Sequence, residues 1–166
     1  MSDKIAQFVG ELRSVDHTHR AAAAEALCRL GGEAQRAAVA LVRACGDESE
    51  EVRQWAGEAL ENLGPPAASD AVELANLIDA DSGDVAYWAV SLLGRLGEEA
   101  QVALPAMARA LETHASMAVR QRAAWALGKL GPAAAGALAP LRVAAASDDA
   151  RLARLATRAI ESTSRP

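Results

Sequence analysis

A chain of 166 residues that is 51% apolar can pack a real core, but at 3% aromatic that core is built mainly from alanine and leucine. No run approaches 18 consecutive apolar residues, so no membrane span is expected, and MSDKIAQFVGELRS lacks the charged start and unbroken apolar stretch of a secretory leader. Cys28 and Cys45 form neither a CxxC pair nor a disulfide framework, which implies a reduced, cytoplasmic setting.

In chain order, Ile5, Phe8, Val9 and Leu12 form a first amphipathic stripe. HRAAAAEALCRLG (19–31) follows, and it recurs as VRQWAGEALENLG (52–64), VAYWAVSLLGRLG (85–97) and VRQRAAWALGKLG (119–131). LARLATRAIES (152–162) matches the same pattern without its final glycine. The offsets of 33, 33, 34 and 33 residues make this an internal repeat. Each copy reads as a helix: in the second, Val52, Ala56, Ala59, Leu60 and Leu63 fall on one side of a 3.6-residue wheel. Gly31, Gly64, Gly97 and Gly131 should end four of these helices, since glycine takes the left-handed backbone without steric cost. Ser49, Ser82 and either Ser147 or Asp148 sit at N-cap positions.

Between the copies lie second helices, expected over 33–45, 67–79, 99–112 and 133–146, with Pro105 and Pro140 expected to kink or break two of them. The outcome is an all-α chain of ten helices in five pairs, approximately 3–31, 32–64, 65–97, 98–131 and 132–162, read as one domain.

The pattern V-R-x-x-A-A-x-A-L-x-x-L-G is carried by Val52, Arg53, Ala56, Ala59, Leu60, Leu63 and Gly64. It is carried again by Val119, Arg120, Ala123, Ala124, Ala126, Leu127, Leu130 and Gly131. It resembles the HEAT-like repeats named after phycobilisome lyase subunits, with departures at His19 and Leu152. The resemblance implies a right-handed α-solenoid in which the helix bearing this pattern lines the inner, concave side. As to function it implies little, because one repeat fold hosts many roles.

The variable positions of the repeat are the informative ones. Four of the five aromatic residues, Trp55, Tyr87, Trp88 and Trp125, occupy positions opposite or beside the buried stripe; only Phe8 does not. Tryptophan, tyrosine and arginine dominate interface energetics, and Arg95, Arg122, Lys129, Arg154 and Arg158 fall on the same turns. With Glu58, these residues form the candidate partner-binding surface. The competing reading is that the tryptophans fill gaps between alanine-rich helices.

Charge refines the expectation. Residues 1–114 carry nine basic and nineteen acidic groups, a net of −10, whereas residues 115–166 carry eight and three, a net of +5. A protein or peptide partner, acidic where it meets the C-terminal repeats, would complement that gradient. The acidity of the first two-thirds argues against a long nucleic-acid track. Asp16, His17 and His19 lack zinc-type spacing, and neighbours two apart do not share a helix face, so no metal is expected. No GxSxG, phosphate loop or paired acid and base is present, so neither cofactor nor catalysis is expected. The reading is a non-catalytic protein-interaction scaffold. The alternatives are a subunit of a phycobilin lyase or isomerase, which the resemblance implies, and nucleic-acid binding through the basic C-terminal helices with tryptophan stacking on bases. The sequence leaves the oligomeric state open.

Overall fold

The computed structural model describes residues 2–164. Among these residues there are ten α-helices and no strand. The helices group into two compact units, one ending at Asp70 and the other beginning at Ala71.

The first unit holds α1 (Ser2–Glu11), α2 (His17–Leu30), α3 (Ala38–Ala44) and α4 (Glu50–Asn62). Here α2 packs on α4, while α1 and α3 each cover a neighbouring helix of the repeat pattern. The stripe predicted for α4 is the buried one: Val52, Ala56, Ala59, Leu60 and Leu63 are all inaccessible to solvent. Of the first stripe, Ile5 on α1 and Leu12 just after it are buried, but Phe8 and Val9 only half so.

The second unit holds α5 (Ala71–Leu77), α6 (Gly83–Leu96), α7 (Leu104–Thr113), α8 (Met117–Lys129), α9 (Leu138–Ala145) and α10 (Ala150–Thr163). It has two layers: α6, α8 and α10 side by side, and α5, α7 and α9 packed behind them. Leu92, Leu93, Met107, Leu111, Leu127 and Leu141 are among the large side chains buried in this unit's core.

Gly31, Gly64, Gly97 and Gly131 are the positive-φ residues, at 53°, 77°, 61° and 56°. At Gly31 and Gly97 ψ is −130° and −131°, outside the left-handed helical well and in a region open to glycine alone. The expected glycine stop is present, in a stricter conformation than the sequence suggests.

The second helices differ from expectation. Three of them open with seven residues of 3-10 helix, Gly31–Ala37, Gly97–Ala103 and Gly131–Ala137, before the α-helix starts. The prolines are not the cause, because Gly31–Ala37 and the helix after it contain none. Pro105 and Pro140 instead fall in the first turns of α7 and α9, where a missing N–H breaks no intrahelical bond. Within the 3-10 segments buried alanines recur three residues apart: Ala34 and Ala37, Ala100 and Ala103, Ala134 and Ala137. A 3-10 helix has three residues per turn, so such a pair shares one face. In the second repeat, Pro65 and Pro66 stand in this region, and only Ala68–Asp70 is 3-10 helix.

The helix starts also follow a rule that was not apparent in the sequence. In the five helices that bear the repeat pattern, the residue two before the N-cap accepts the N-cap's own backbone N–H at four starts. Ser14 takes that of Asp16, Asp47 that of Ser49, His114 that of Ser116 and Ser147 that of Asp149, at 2.9–3.2 Å. Alanine at position 80 cannot do this for Ser82. The last N-cap is therefore Asp149, which accepts from Leu152 N at 2.6 Å, and not Ser147 or Asp148. Ser82 caps α6 as expected, while Ser49 is an N-cap without a side-chain bond.

The arginine of the repeat pattern anchors these same loops. Arg20 donates to Ser14 O and Val15 O, Arg53 to Asp47 O and Glu48 O, and Arg120 to Leu111 O. Arg20 also forms a two-pronged pair with Asp47, at 2.7 and 2.9 Å, with both side chains largely buried. These arginines are thus engaged by the backbone that precedes each helix.

Candidate functional site

The second unit brings aromatic and basic side chains together across α6, α8 and α10. Tyr87 and Trp88 follow one another on α6 and meet edge to face, ring centres 5.7 Å apart and planes at 86°. On α8, the Arg122 guanidinium lies 4.5 Å from the Tyr87 ring centre and 5.0 Å from that of Trp125. It is thus held between two π-faces, and it also donates to the Tyr87 hydroxyl. One turn further along, Lys129 Nζ stands 5.7 Å from the Trp125 ring, and on α6 Arg95 stands 5.8 Å from that of Trp88. Spacings of three, four and seven residues produce this ladder, since they return to one helix face.

All three of these aromatic residues are half-buried. For Trp125 the structure shows what covers the inner part. A methyl group at Gly94 on α6 would overlap the indole, so glycine there opens the space into which the ring packs. Gly128 on α8 plays the same part toward Ala159 of α10, bringing those helices close. Trp125 therefore fills a gap between helices with one edge and presents the rest of its ring outward.

Its outward part forms a wall shared by two clefts. The first, with a volume of ≈ 230 Å³, is lined by Tyr87, Ala118, Gln121, Arg122, Trp125, Arg151 and Leu155. The second, of ≈ 250 Å³, is lined by Ala124, Trp125, Gly128, Lys129, Leu155, Arg158, Ala159 and Ser162. Arg154 lies exposed on α10 between Arg151 and Arg158. Arg122, Lys129, Arg151, Arg154 and Arg158 make no ion pair among the described residues. The nearby carboxylate of Asp149 is already engaged. It accepts from Leu152 N–H, which chiefly holds its pKa low, and from Gln121.

Of the candidate residues, Tyr87, Trp88, Arg95, Arg122, Trp125, Lys129, Arg154 and Arg158 belong to the second unit. Trp55 and Glu58 lie on α4 in the first. Trp55 is half-buried, and exposed Glu58 accepts from Gln54 at 3.4 Å. Arg151 was missed. Its signal was nonetheless present: it occupies the first turn of α10, where the matching positions of α4 and α6 hold Glu51 and Asp84. The helix dipole disfavours a cation there.

No group of three or more His, Cys, Asp or Glu suited to a metal occurs among the described residues. Asp16 caps α2, taking the Thr18 hydroxyl and N–H at 2.7 and 2.8 Å; these bonds lower its pKa. Burial, together with the charges of Glu58 and Glu25, pushes the Cys28 thiol up, away from the reactive thiolate. Among the described residues no helix is long and apolar enough to cross a membrane.

No curated protein matches the chain. Solved structures do. An engineered protein, at 22% identity, aligns over 98% of this chain and 80% of its own with a TM-score of 0.68. A designed armadillo repeat protein, solved in complex with the peptide (KR)4, aligns over 94% and 80% at 24% identity with a TM-score of 0.68. Another, computationally designed for modular peptide recognition, gives the same coverage and identity with a TM-score of 0.63. These likenesses fix the fold as an all-α solenoid. The family model described as HEAT repeats matches residues 5–75 and 71–161, which is nearly the whole chain, and the chain belongs to the HEAT-repeat family.

Proposed function

We propose that this chain is a non-catalytic interaction module and that the α6–α8–α10 face of its second unit binds an acidic peptide or protein segment. The observation that carries the reading is Arg122. Its side chain is fixed between Tyr87 and Trp125, yet no carboxylate neutralises it among the described residues. An arginine oriented in advance by π-faces loses little freedom on binding, and its planar fork suits a carboxylate. Arg151, Arg154, Arg158 and Lys129 extend the positive charge around it. The designed armadillo relative was solved with a basic peptide; the cations here call for the opposite charge.

The test is a fluorescence-anisotropy titration with labelled glutamate-rich and lysine-rich peptides of equal length, at low and high salt. The glutamate-rich peptide should bind, and its affinity should fall as salt screens exposed charges. Equal binding of both peptides, or tighter binding of single-stranded nucleic acid than of the acidic peptide, would overturn the reading. Trp55 and Glu58, on the first unit, are tested by the same titration with Trp55→Ala.

A further inference from the structure

Resting on the acidic-partner reading, we infer that the face recognises two carboxylates at a fixed separation, carried by an extended segment as acid-x-x-acid with an apolar residue between them.

The two clefts repeat one arrangement. Each has one cation from α8 and one from α10: Arg122 with Arg151 in the first, Lys129 with Arg158 in the second. The step from the first pair to the second is seven residues on both helices. Two helical turns return each side chain to the same face, displaced by about 10.5 Å. Trp125 and Leu155 line both clefts, forming an apolar ridge between the basic pairs.

This geometry selects the form of the ligand. A helix is about 10–12 Å across with its side chains, too broad to enter clefts of ≈ 230 and ≈ 250 Å³. An extended polyproline-type segment rises ~3.1 Å per residue with three residues per turn. Residues i and i+3 then lie on one side, about 9 Å apart, which matches the displacement of the basic pairs. The backbone between them crosses Trp125 and Leu155, and the two intervening side chains, turned about 120° to either side, flank that ridge. Asp149 sits near Arg151, but its Oδ1 already accepts from Leu152 N–H and Gln121. Both guanidiniums on α10 remain exposed.

The experiment uses the full chain and labelled synthetic peptides of one composition. One carries Glu-Pro-Leu-Glu, one has the two glutamates adjacent, one has them six residues apart, and a control has glutamine in their place. The Glu-Pro-Leu-Glu peptide should bind about tenfold more tightly than either permuted peptide. Arg151→Gln and Arg158→Gln, with unchanged thermal melts, should each couple in a double-mutant cycle to one glutamate and not to the other. If all acidic peptides bind alike and more tightly than the glutamine control, the spacing rule is overturned and the acidic-partner reading stands. If none exceeds the control, both fall.

Discussion

Arg20 in the first unit and Arg122 in the second are both held firmly, by opposite means. Arg20 is surrounded by acceptors: two oxygens of Asp47, one of Glu48 and the carbonyls of Ser14 and Val15. Its hydrogen bonds with Asp47 raise its pKa further. Arg122 is surrounded by rings, with one phenol as its hydrogen-bond partner. Full satisfaction makes the first a structural tie with nothing left to offer. The π-faces orient the second without cancelling its charge, because a ring supplies only part of what a carboxylate does. A side chain's immobility therefore says little about its role; the partners it leaves unfilled say more.

The comparison can be broken first at Asp47. Asp47→Ala removes two of the five acceptors around the largely buried Arg20 guanidinium and should cost about 2 kcal/mol, with acidic-peptide affinity unchanged. A denaturant melt beside the anisotropy titration checks both halves. Acid sharpens the same point. Burial works against the Asp47 charge, but the bonds from Arg20 and Ser49 N–H, with the charges of Arg20 and Arg53, outweigh it and hold its pKa below the usual carboxylate range. With the folded pKa depressed, this contribution is complete above the ordinary value of about 3.9 and is lost as pH falls through the depressed one. Asp47→Asn should therefore lose less stability than the native chain between about pH 5 and pH 2.

Next in size is Gly94→Ala. Overlap with the Trp125 indole should cost about 1–2 kcal/mol, and the cost should largely vanish in a Trp125→Ala background. A full cost in that background would mean that α6 itself resists the methyl group. Arg122→Gln should then separate binding from folding: stability within about 0.5 kcal/mol of native, and acidic-peptide affinity down about tenfold, or ~1.4 kcal/mol. Equal losses in both would make Arg122 a tie like Arg20. The smallest effect belongs to Ser82→Ala, which removes a long cap bond of 3.5 Å at the start of α6. A loss of about 0.5 kcal/mol in a thermal melt is expected, at the low end for N-caps.

Much of the fold was legible because the repeat shows itself five times. The buried stripe of α4 and the four glycine stops could be read from spacing alone, since a helix has one period and positive φ has one preferred residue. The 3-10 segments could not. An alanine pair three apart is equally at home on an α-helical face, and the sequence offered Pro105 and Pro140 as a more conspicuous cause of a break. The candidate surface was legible where it departed from the small residues around it, as at Trp88 and Trp125. Arg151 escaped because a first-turn residue reads as part of a cap, and Gly94 because the ring it accommodates comes from the next repeat. Trp55 holds the same place in its repeat as Trp88, and a wheel carries no information about which rings on neighbouring helices meet, as Tyr87 and Trp125 do around Arg122.

The three alanine pairs of the 3-10 segments bear on which substitutions the chain can survive. Side chains three apart in such a helix eclipse one another, and all six of these methyl groups are wholly buried. A larger residue at Ala34 or Ala137 would meet both its stacked partner and the helix behind it. The two cannot be relieved by the same movement. The positions that look most replaceable in an alanine-rich sequence are thus among its least permissive, and a deep mutational scan should show a three-residue beat of intolerance across 34–37, 100–103 and 134–137. Exposed Gln35, Gln101 and Ala135, between them, should accept almost any side chain.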